Sequence, residues 1–424
     1  MNVLVVGRGG REHAICKKLS ESPQVQTVFC APGNAGIAQD AEIVEIDEMD
    51  FAALSEFAVN QNVALTVVGP ENPLSAGIVD YFQEKGLKVY GPDKAAAELE
   101  GSKSFAKMMM EKYSIPTARY AAFDNYQEAK AYIEEQGAPI VLKADGLAAG
   151  KGVTVALTLE EALSALEEMM VAKKFGEASS KLVIEQYLEG EEFSLMAFVH
   201  EENVYPMQAA QDHKRAFDND EGPNTGGMGA YSPIPHISAD VIEQSVQDIL
   251  LPIARGMAAE GRPFTGIIFA GLMLTKEGPK TIEFNARFGD PETQVVLPRL
   301  QSDLLQVFLD VLDGKDPELK WKDDAVLGVV LAADGYPESY EKGHPIKGLE
   351  NIDPSAVLHA GTFKDEAGLV CANGGRVLLV TGIAPSIHES RQEAYKKIAK
   401  IETDHFFYRK DIGSRAIASA QSAN

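Results

Sequence analysis

Short apolar runs rich in β-branched residues alternate with helical spacing through the first hundred residues. Residues 3–6, 25–30, 64–68 and 88–90 predict strands, and 11–21, 50–60 and 76–85 predict helices between them. Strand and helix in repeated succession predict a doubly wound parallel sheet, an α/β unit whose ligands bind in the loops after the strand ends. Those loops are 7–10, 31–36 and 69–73. Gly91-Pro92 then interrupts the pattern, and 94–112 reads as one helical run with little Gly or Pro.

From about residue 116 the pattern changes to a small α+β module. Its elements are a strand at 139–143, a glycine-rich loop at 144–152, a strand at 153–156, a helix at 159–171 and a strand at 181–187. Strands follow at 192–199 and 203–209, then a long Gly/Asn/Pro loop at 212–235, a helix at 239–260, strands at 266–274 and 280–285, and a helix near 300–312. Strands at 326–331 and 376–381 and a helix near 388–400 close the chain. The expected organisation is three domains: 1–100, 101–325 with a subdomain at about 116–188, and a small α+β domain at 326–424.

Composition narrows the function more than the fold. The 424 residues carry 39 Lys and Arg against 63 Asp and Glu, a formal charge of −24, so a nucleic acid or an anionic membrane surface is an unsuitable partner. Anionic substrates would need cations concentrated locally in loops. The three cysteines, Cys16, Cys30 and Cys371, lack paired metal-ligand spacing and read as reduced, buried thiols. No apolar run reaches membrane length, and the apolar run after Met1 is too short for a signal peptide, so a cytoplasmic protein is expected.

The most informative stretch is 282–292, IEFNARFGDPE. Strict strand alternation puts Ile282 and Phe284 on one face and Thr281, Glu283 and Asn285 on the other. A carboxylate and an amide oxygen about 6 to 7 Å apart at Cα form a platform for Mg²⁺, a hard cation held by few side chains plus substrate phosphates. Arg287 follows as a cation for developing phosphate charge, and Gly289-Asp290-Pro291 stops the strand.

A second constellation suits a nucleotide. Lys143 ends an apolar strand, and Gly146, Gly150, Lys151 and Gly152 follow, a loop able to close backbone N–H groups on a polyphosphate. Its spacing differs from that of a P-loop, and Gly152 stands where the Ser or Thr of that motif should be. Residues 183–192, VIEQYLEGEE, run from a strand into acidic side chains and could cradle adenine and ribose. The ordered set Lys103, Lys143, the glycine loop, the acidic strand exit and Glu283-x-Asn285 resembles the ATP-grasp enzymes over about 100–325. The resemblance implies ATP clamped between two α+β lobes. It places Lys103, Lys143, Gly150, Lys151 and Gly152 at the phosphates, Glu185, Gln186, Tyr187 and Leu188 at adenine, Glu191 at ribose, and Glu283 and Asn285 on the metal. Strand 266–274 carries no acidic residue where many of these enzymes supply a further ligand, so one ion or two stays open.

Two more segments narrow the family. The turn 7–13, GRGGREH, opens a helix whose free N–H groups and Arg11 suit a phosphate, and Glu12 occupies the place of the third glycine of a dinucleotide fingerprint, so NAD fits badly. The loop 222–233, GPNTGGMGAYSP, follows Asp212, His213, Lys214 and Arg215 and is too patterned for a plain linker. With GNAG at 33–36, GPENP at 69–73, GGRV at 374–377 and YRKDIG at 408–413, the whole chain resembles the glycinamide ribonucleotide synthetase family of ATP-grasp ligases. That resemblance implies a pre-ATP-grasp N-terminal domain, a two-lobe ATP-grasp core with the subdomain at about 116–188 as a lid, and a small C-terminal domain. It also implies the reaction ATP + glycine + 5-phosphoribosylamine giving glycinamide ribonucleotide, ADP and phosphate in purine synthesis. Magnesium or manganese would be the metal, small molecules the only partners, and a monomer the expected state. Implied substrate contacts are Gly9, Gly10, Arg11, Glu12, Asn34, Gly36, Pro70, Glu71, Asp212, Asn224, Thr225, Gly226 and Gly227, with Arg287, Lys214 and Asp290 at the chemistry and Asp290 on the glycine ammonium. The loops 146–152 and 222–229 are the expected lids.

Overall fold

The computed structural model describes residues 1–147, 152–174 and 176–422. Gly150 and Lys151 lie outside the described residues. Strands β1 (Asn2–Gly7), β2 (Thr27–Pro32), β3 (Glu42–Ile43), β4 (Val63–Val68) and β5 (Val89–Tyr90) form a parallel sheet in the order β3-β2-β1-β4-β5. Helices cover both faces, which is why Val3, Leu4, Val5 and Val6 are all fully buried without alternation. The chain departs from β1 to one side through β2 and returns to its other side through β4. The loops ending β1 and β4 therefore meet at a switch point, where open α/β sheets hold ligands.

The middle of the chain supplies two antiparallel sheets. Strands β6 (Tyr120–Phe123), β7 (Ile140–Ala144), β8 (Val153–Ala156) and β9 (Leu182–Gln186) pair in the order β6-β9-β7-β8. The helices Tyr126–Gln136 and Leu159–Leu166 pack their Ala129, Ile133, Ala162 and Leu166 on one face of it. The chain continues through β10 (Glu191–His200), β11 (Asn203–Pro206), β12 (Gln211–Asp212), β13 (Arg215–Phe217), β14 (Glu221–Asn224), β15 (Gly229–Ser232), β16 (Thr265–Thr275) and β17 (Gly278–Asn285). The order β11-β10-β16-β17 makes the second lobe, and β13-β14 is a separate hairpin.

The C-terminal strands are β18 (Ala325–Ala333), β19 (Val357–His359), β20 (Thr362–Lys364), β21 (Val370–Ala372), β22 (Arg376–Ala384) and β23 (Phe406–Phe407). Their main sheet runs β12-β15-β18-β22-β19, with β23 also on β18. Strands β12 and β15 come from the middle of the chain, so this sheet crosses the boundary expected near 325. The α/β and α+β multidomain class is as the pattern predicts.

Several elements differ from the pattern. The run 94–112 is two helices, Lys94–Gly101 and Lys103–Lys112, because Ser102 leaves helical dihedrals and its hydroxyl accepts from Phe105 N. The helix expected at 76–85 starts earlier and breaks at Gly77, whose φ of +93° lies in the left-handed region, giving Glu71–Ala76 and Ile78–Glu84. The strand expected at 203–209 ends at Pro206, and the helix near 300 starts at Leu304 under an Asp303 cap. All three cysteines are buried and free. No helix among the described residues is long and apolar enough to cross a membrane.

Candidate active site

A single cavity of about 790 Å³ gathers the ends of these elements. The switch-point loops contribute Gly9, Arg11, Glu12, Pro70 and Glu71, the lobes contribute Lys103, Lys143, Glu185 and Glu283, and the C-terminal segment contributes Arg376 and Arg415.

On the lobe side, lysines surround a buried carboxylate. Glu185 on β9 is 4% exposed; Lys107 Nζ lies 2.9 Å from its Oε2, and Lys143 Nζ lies 3.0 Å from its Oε1 in an ion-pair geometry too oblique for a hydrogen bond. Lys143 also donates to Ile282 O at 2.9 Å and Lys103 to Gly146 O at 3.0 Å, so both ammonium groups are held at the floor of the cleft. Burial lowers the Lys107 ammonium to about 8. Gln186, Tyr187, Leu188 and Gly152 also line the cavity. Lys107 was not anticipated, although it stands one helical turn from Lys103 and shares its face.

Glu191 turns away from the cavity. Its Oε1 lies 2.5 Å from His236 Nε2 and accepts from Gln211 Nε2 at 3.0 Å, so the ribose contact expected there is corrected. Alternation along β10 turns Glu192 to the cavity instead, and Glu192 pairs with Lys214 at 3.1 Å.

The oxygen platform on β17 survives with altered phasing. Glu283 faces Gly271 but Thr281 faces Leu272, so Ile282 is an extra, bulged residue. Thr281 is therefore fully buried, while Ile282 joins Glu283 and Asn285 at the cavity; the expected grouping of Thr281 with Glu283 and Asn285 is corrected. Burial works to raise the Glu283 carboxyl, but Lys214, Lys143, Lys103 and Arg287 outweigh it and hold it below the usual carboxylate range. No hydrogen bond to that carboxylate is present among the described residues. Asn285 donates its Nδ2 to Phe284 O at 3.0 Å, leaving Oδ1 as the cavity-side acceptor. An ionised carboxylate with open lone pairs beside an amide oxygen fits a hard divalent cation. Arg287 bridges Glu100 at 2.8 Å and Glu71 at 3.3 Å, which fixes the guanidinium beside the platform.

On the switch-point side, Arg11 pairs with Glu12 and donates to Phe288 O at 3.1 Å, and Gly9 N donates to Glu12 at 2.6 Å. Gly69 packs so closely on Glu12 that a Cβ would overlap the carboxylate. Asn34 and Gly36 are not at the cavity. Asn34 donates to Arg8 O and His359 O at 2.9 Å and accepts from Gly36 N and Ile37 N, and Gly36 packs on the His359 ring. Their expected substrate role is corrected to docking the C-terminal segment. Gly10 packs on Gln294 and Gly227 on Pro291, each behind the cavity wall.

Asp290 does line the cavity, but its oxygens are occupied. They take Arg11 N at 3.1 Å, Gln294 Nε2 at 2.7 Å and Arg376 at 3.1 Å. Arg376 also donates to Gly226 O at 2.8 Å and Asp290 O at 2.9 Å, tying the loop 224–227 to the 287–292 turn. Asp212 is the less committed carboxylate: among the described residues it takes a hydrogen bond from its own backbone alone. Burial, together with Glu292 and Glu192, raises it to about 7 against the pull of Lys214. Asn224 and Thr225 line the cavity beside it, with Thr225 Oγ1 donating to Lys214 O at 2.8 Å.

Three sequence profiles match the chain. They are the phosphoribosylglycinamide synthetase N domain over residues 1–100, its ATP-grasp (A) domain over 101–293 and its C domain over 326–415. The chain is 60% identical over 419 residues to a phosphoribosylamine–glycine ligase of Halalkalibacterium halodurans, covering 99% of this chain and 98% of that protein. A crystal structure of a phosphoribosylamine–glycine ligase from Thermotoga maritima superposes with a TM-score of 0.85 at 32% identity, covering 97% of this chain and all (100%) of that one. A biotin carboxylase of Campylobacter jejuni shares the fold at a TM-score of 0.72 and 14% identity, covering 96% and 92% of the two chains.

Proposed function

Because the chain belongs to the phosphoribosylglycinamide synthetase family, whose curated relatives bear the name phosphoribosylamine–glycine ligase, we propose that it joins glycine to 5-phosphoribosylamine in purine biosynthesis, in the cytoplasm. ATP is the co-substrate, and the products are glycinamide ribonucleotide, ADP and phosphate. The observation that carries this reading is the joining of the cation-ringed Glu283–Asn285 platform and the switch-point loops in one cavity.

The glycine carboxylate attacks the γ-phosphorus, ADP leaves, and glycyl phosphate forms. The amine nitrogen of phosphoribosylamine then attacks the acyl carbon, phosphate leaves, and the nitrogen loses a proton. Lys103 and Lys143 neutralise the nucleotide phosphates, and Lys214 and Arg287 face the charge that spreads over the transferred group. Glu283 and Asn285 would hold Mg²⁺ or Mn²⁺, which would supply positive charge against the developing phosphate charge. The ribose phosphate is assigned to the switch-point end of the cavity, lined by Gly9, Arg11, Pro70 and Glu71, where the Arg11 guanidinium supplies positive charge. Asp212, with open lone pairs, takes the glycine ammonium; Asp290 supports Arg376.

Phosphate release, with glycine and freshly generated phosphoribosylamine omitted in turn, tests the reading. Turnover is expected to need both. Turnover that proceeds with bicarbonate and ignores glycine would replace this ligase with a carboxylase.

A further inference from the structure

The hairpin formed by β13 and β14 ends in Asn219 and Asp220, both with positive φ, at 60° and 56°. Two consecutive non-glycine residues in the left-handed region are costly unless their surroundings hold them. The hold comes from residues 409–415 near the end of the chain. Asp220 Oδ1 accepts from Arg409 at 3.0 Å and its Oδ2 pairs with Arg415. Asp218 accepts from Lys410 N at 2.7 Å, and Asp411 accepts from Asn219 N at 2.9 Å. Arg409 is 1% exposed and also donates to Arg215 O at 3.0 Å, while Gly413 N donates to His213 Nε2 at 3.2 Å.

Every residue gripped in this way is a close chain neighbour of one at the cavity. Lys214 precedes β13, and β14 leads into Asn224, Thr225 and Gly226. Thr225 and Lys214 are themselves linked across the base of the hairpin, by Thr225 N to Lys214 O at 2.7 Å and by the Thr225 hydroxyl. A shift of the tip therefore moves both the lysine facing the transferred phosphate and the loop over the second substrate. Asp220 and Arg415 also line the cavity mouth.

We propose that the C-terminal segment 409–415 completes the active site: Arg409 and Arg415, acting through the Asp220 carboxylate, are positioning residues that hold the 215–224 hairpin, and with it Lys214, Asn224 and Thr225, in the reactive arrangement. This rests on the ligase reading above. Arg409 touches no substrate, and the segment contributes alignment rather than chemistry. The juxtaposition of an acidic hairpin tip and two arginines nearly two hundred residues away exists only in the folded chain.

The test uses the full-length protein and the phosphate-release assay with each of the three substrates varied. Wild-type turnover dependent on glycine and phosphoribosylamine first secures the ligase reading; its absence refutes that reading and not the clamp. Given an active wild type, Asp220→Asn and Arg415→Gln are each expected to lower kcat about tenfold to hundredfold, the range for a displacement near 1 Å, with the KM for ATP within about twofold. Thermal unfolding should be little changed, since both side chains are partly exposed at the surface. The pair should be non-additive, the double variant being about as slow as the slower single one. Arg409→Lys, which keeps the charge but loses the fork, should fall between wild type and Asp220→Asn. Unchanged kcat in both Asp220→Asn and Arg415→Gln, or losses that multiply independently, would overturn the proposal.

Discussion

Glu283 shows how a single residue's environment shapes its chemistry. Four cations around one half-buried carboxylate leave an excess of positive charge, which suits a polyphosphate arriving with its own divalent ion. Replacing Glu283 with Gln keeps the shape and removes the negative charge. Metal-free ADP should then bind at least as tightly as in the wild type, because four cations lose their internal competitor. Metal-dependent phosphate release should fall about hundredfold or more, the rate equivalent of several kcal/mol of charge stabilisation. Calorimetric titration with ADP, with and without Mg²⁺, separates the two effects; weaker metal-free binding would contradict this account. The residue types at this platform were legible in the sequence. What was not legible was which neighbours ring it: Lys214 and Lys103 arrive from segments far away in the chain.

At the scale of elements, two irregularities set the site. The bulge at Ile282 turns Thr281 inward and brings Ile282 to the cavity beside Glu283, and nothing in the alternation of KTIEFN announces it, since bulges depend on the partner strand's register. The break at Ser102 starts a new helix whose first residue is Lys103. The Ser102 hydroxyl caps Phe105 N at 3.1 Å, and the Ser104 backbone donates to Asp145 at 2.6 Å beside the glycine loop. Ser102→Ala should cost about 1 kcal/mol of unfolding free energy, the usual worth of an N-cap, and the urea midpoint should drop with an unchanged slope. The Ser-Lys-Ser sequence after Gly101 could have announced that cap; helical spacing on either side hid it.

Across the whole molecule, buried histidines join segments that the sequence keeps apart. His13 Nδ1 accepts the His359 backbone N–H at 2.7 Å, so the neutral ring carries its proton on Nε2, toward Asp40 at 3.1 Å. Burial lowers His13, takes His359 down to about 3, and takes His213, under the 409–415 segment, down to about 4. Folded-state values below the unfolded value of about 6.5 mean that the unfolded chain binds more protons as pH falls through that value. Stability is therefore retained above about 6.5 and lost on acidification towards these lower values, at up to about 1.4 kcal/mol per pH unit for each histidine. Urea unfolding at pH of about 7 and about 5, compared between wild type and His359→Gln, separates this contribution from that of Asp212, whose raised carboxyl works the other way; the variant should lose less stability on acidification by about one proton's share. An identical slope in that variant would remove His359 from the explanation.

The parallel N-terminal sheet and the strand carrying Glu283 and Asn285 follow from local pattern, because periodicity and short spacing are properties of neighbouring residues, whereas the two-lobe core and the places of Lys103 and Lys143 came from the family resemblance. The roles of Glu191 and Glu192, the retreat of Asn34 and Gly36 to an interface, the occupation of Asp290 by Arg376, and the grip of residues 409–415 on Asp220 were decided by tertiary structure alone. Each depends on which face a side chain takes or on which distant segment fills its hydrogen-bonding capacity, and both are settled only when sheets pack and loops from opposite ends of the chain meet around one cavity.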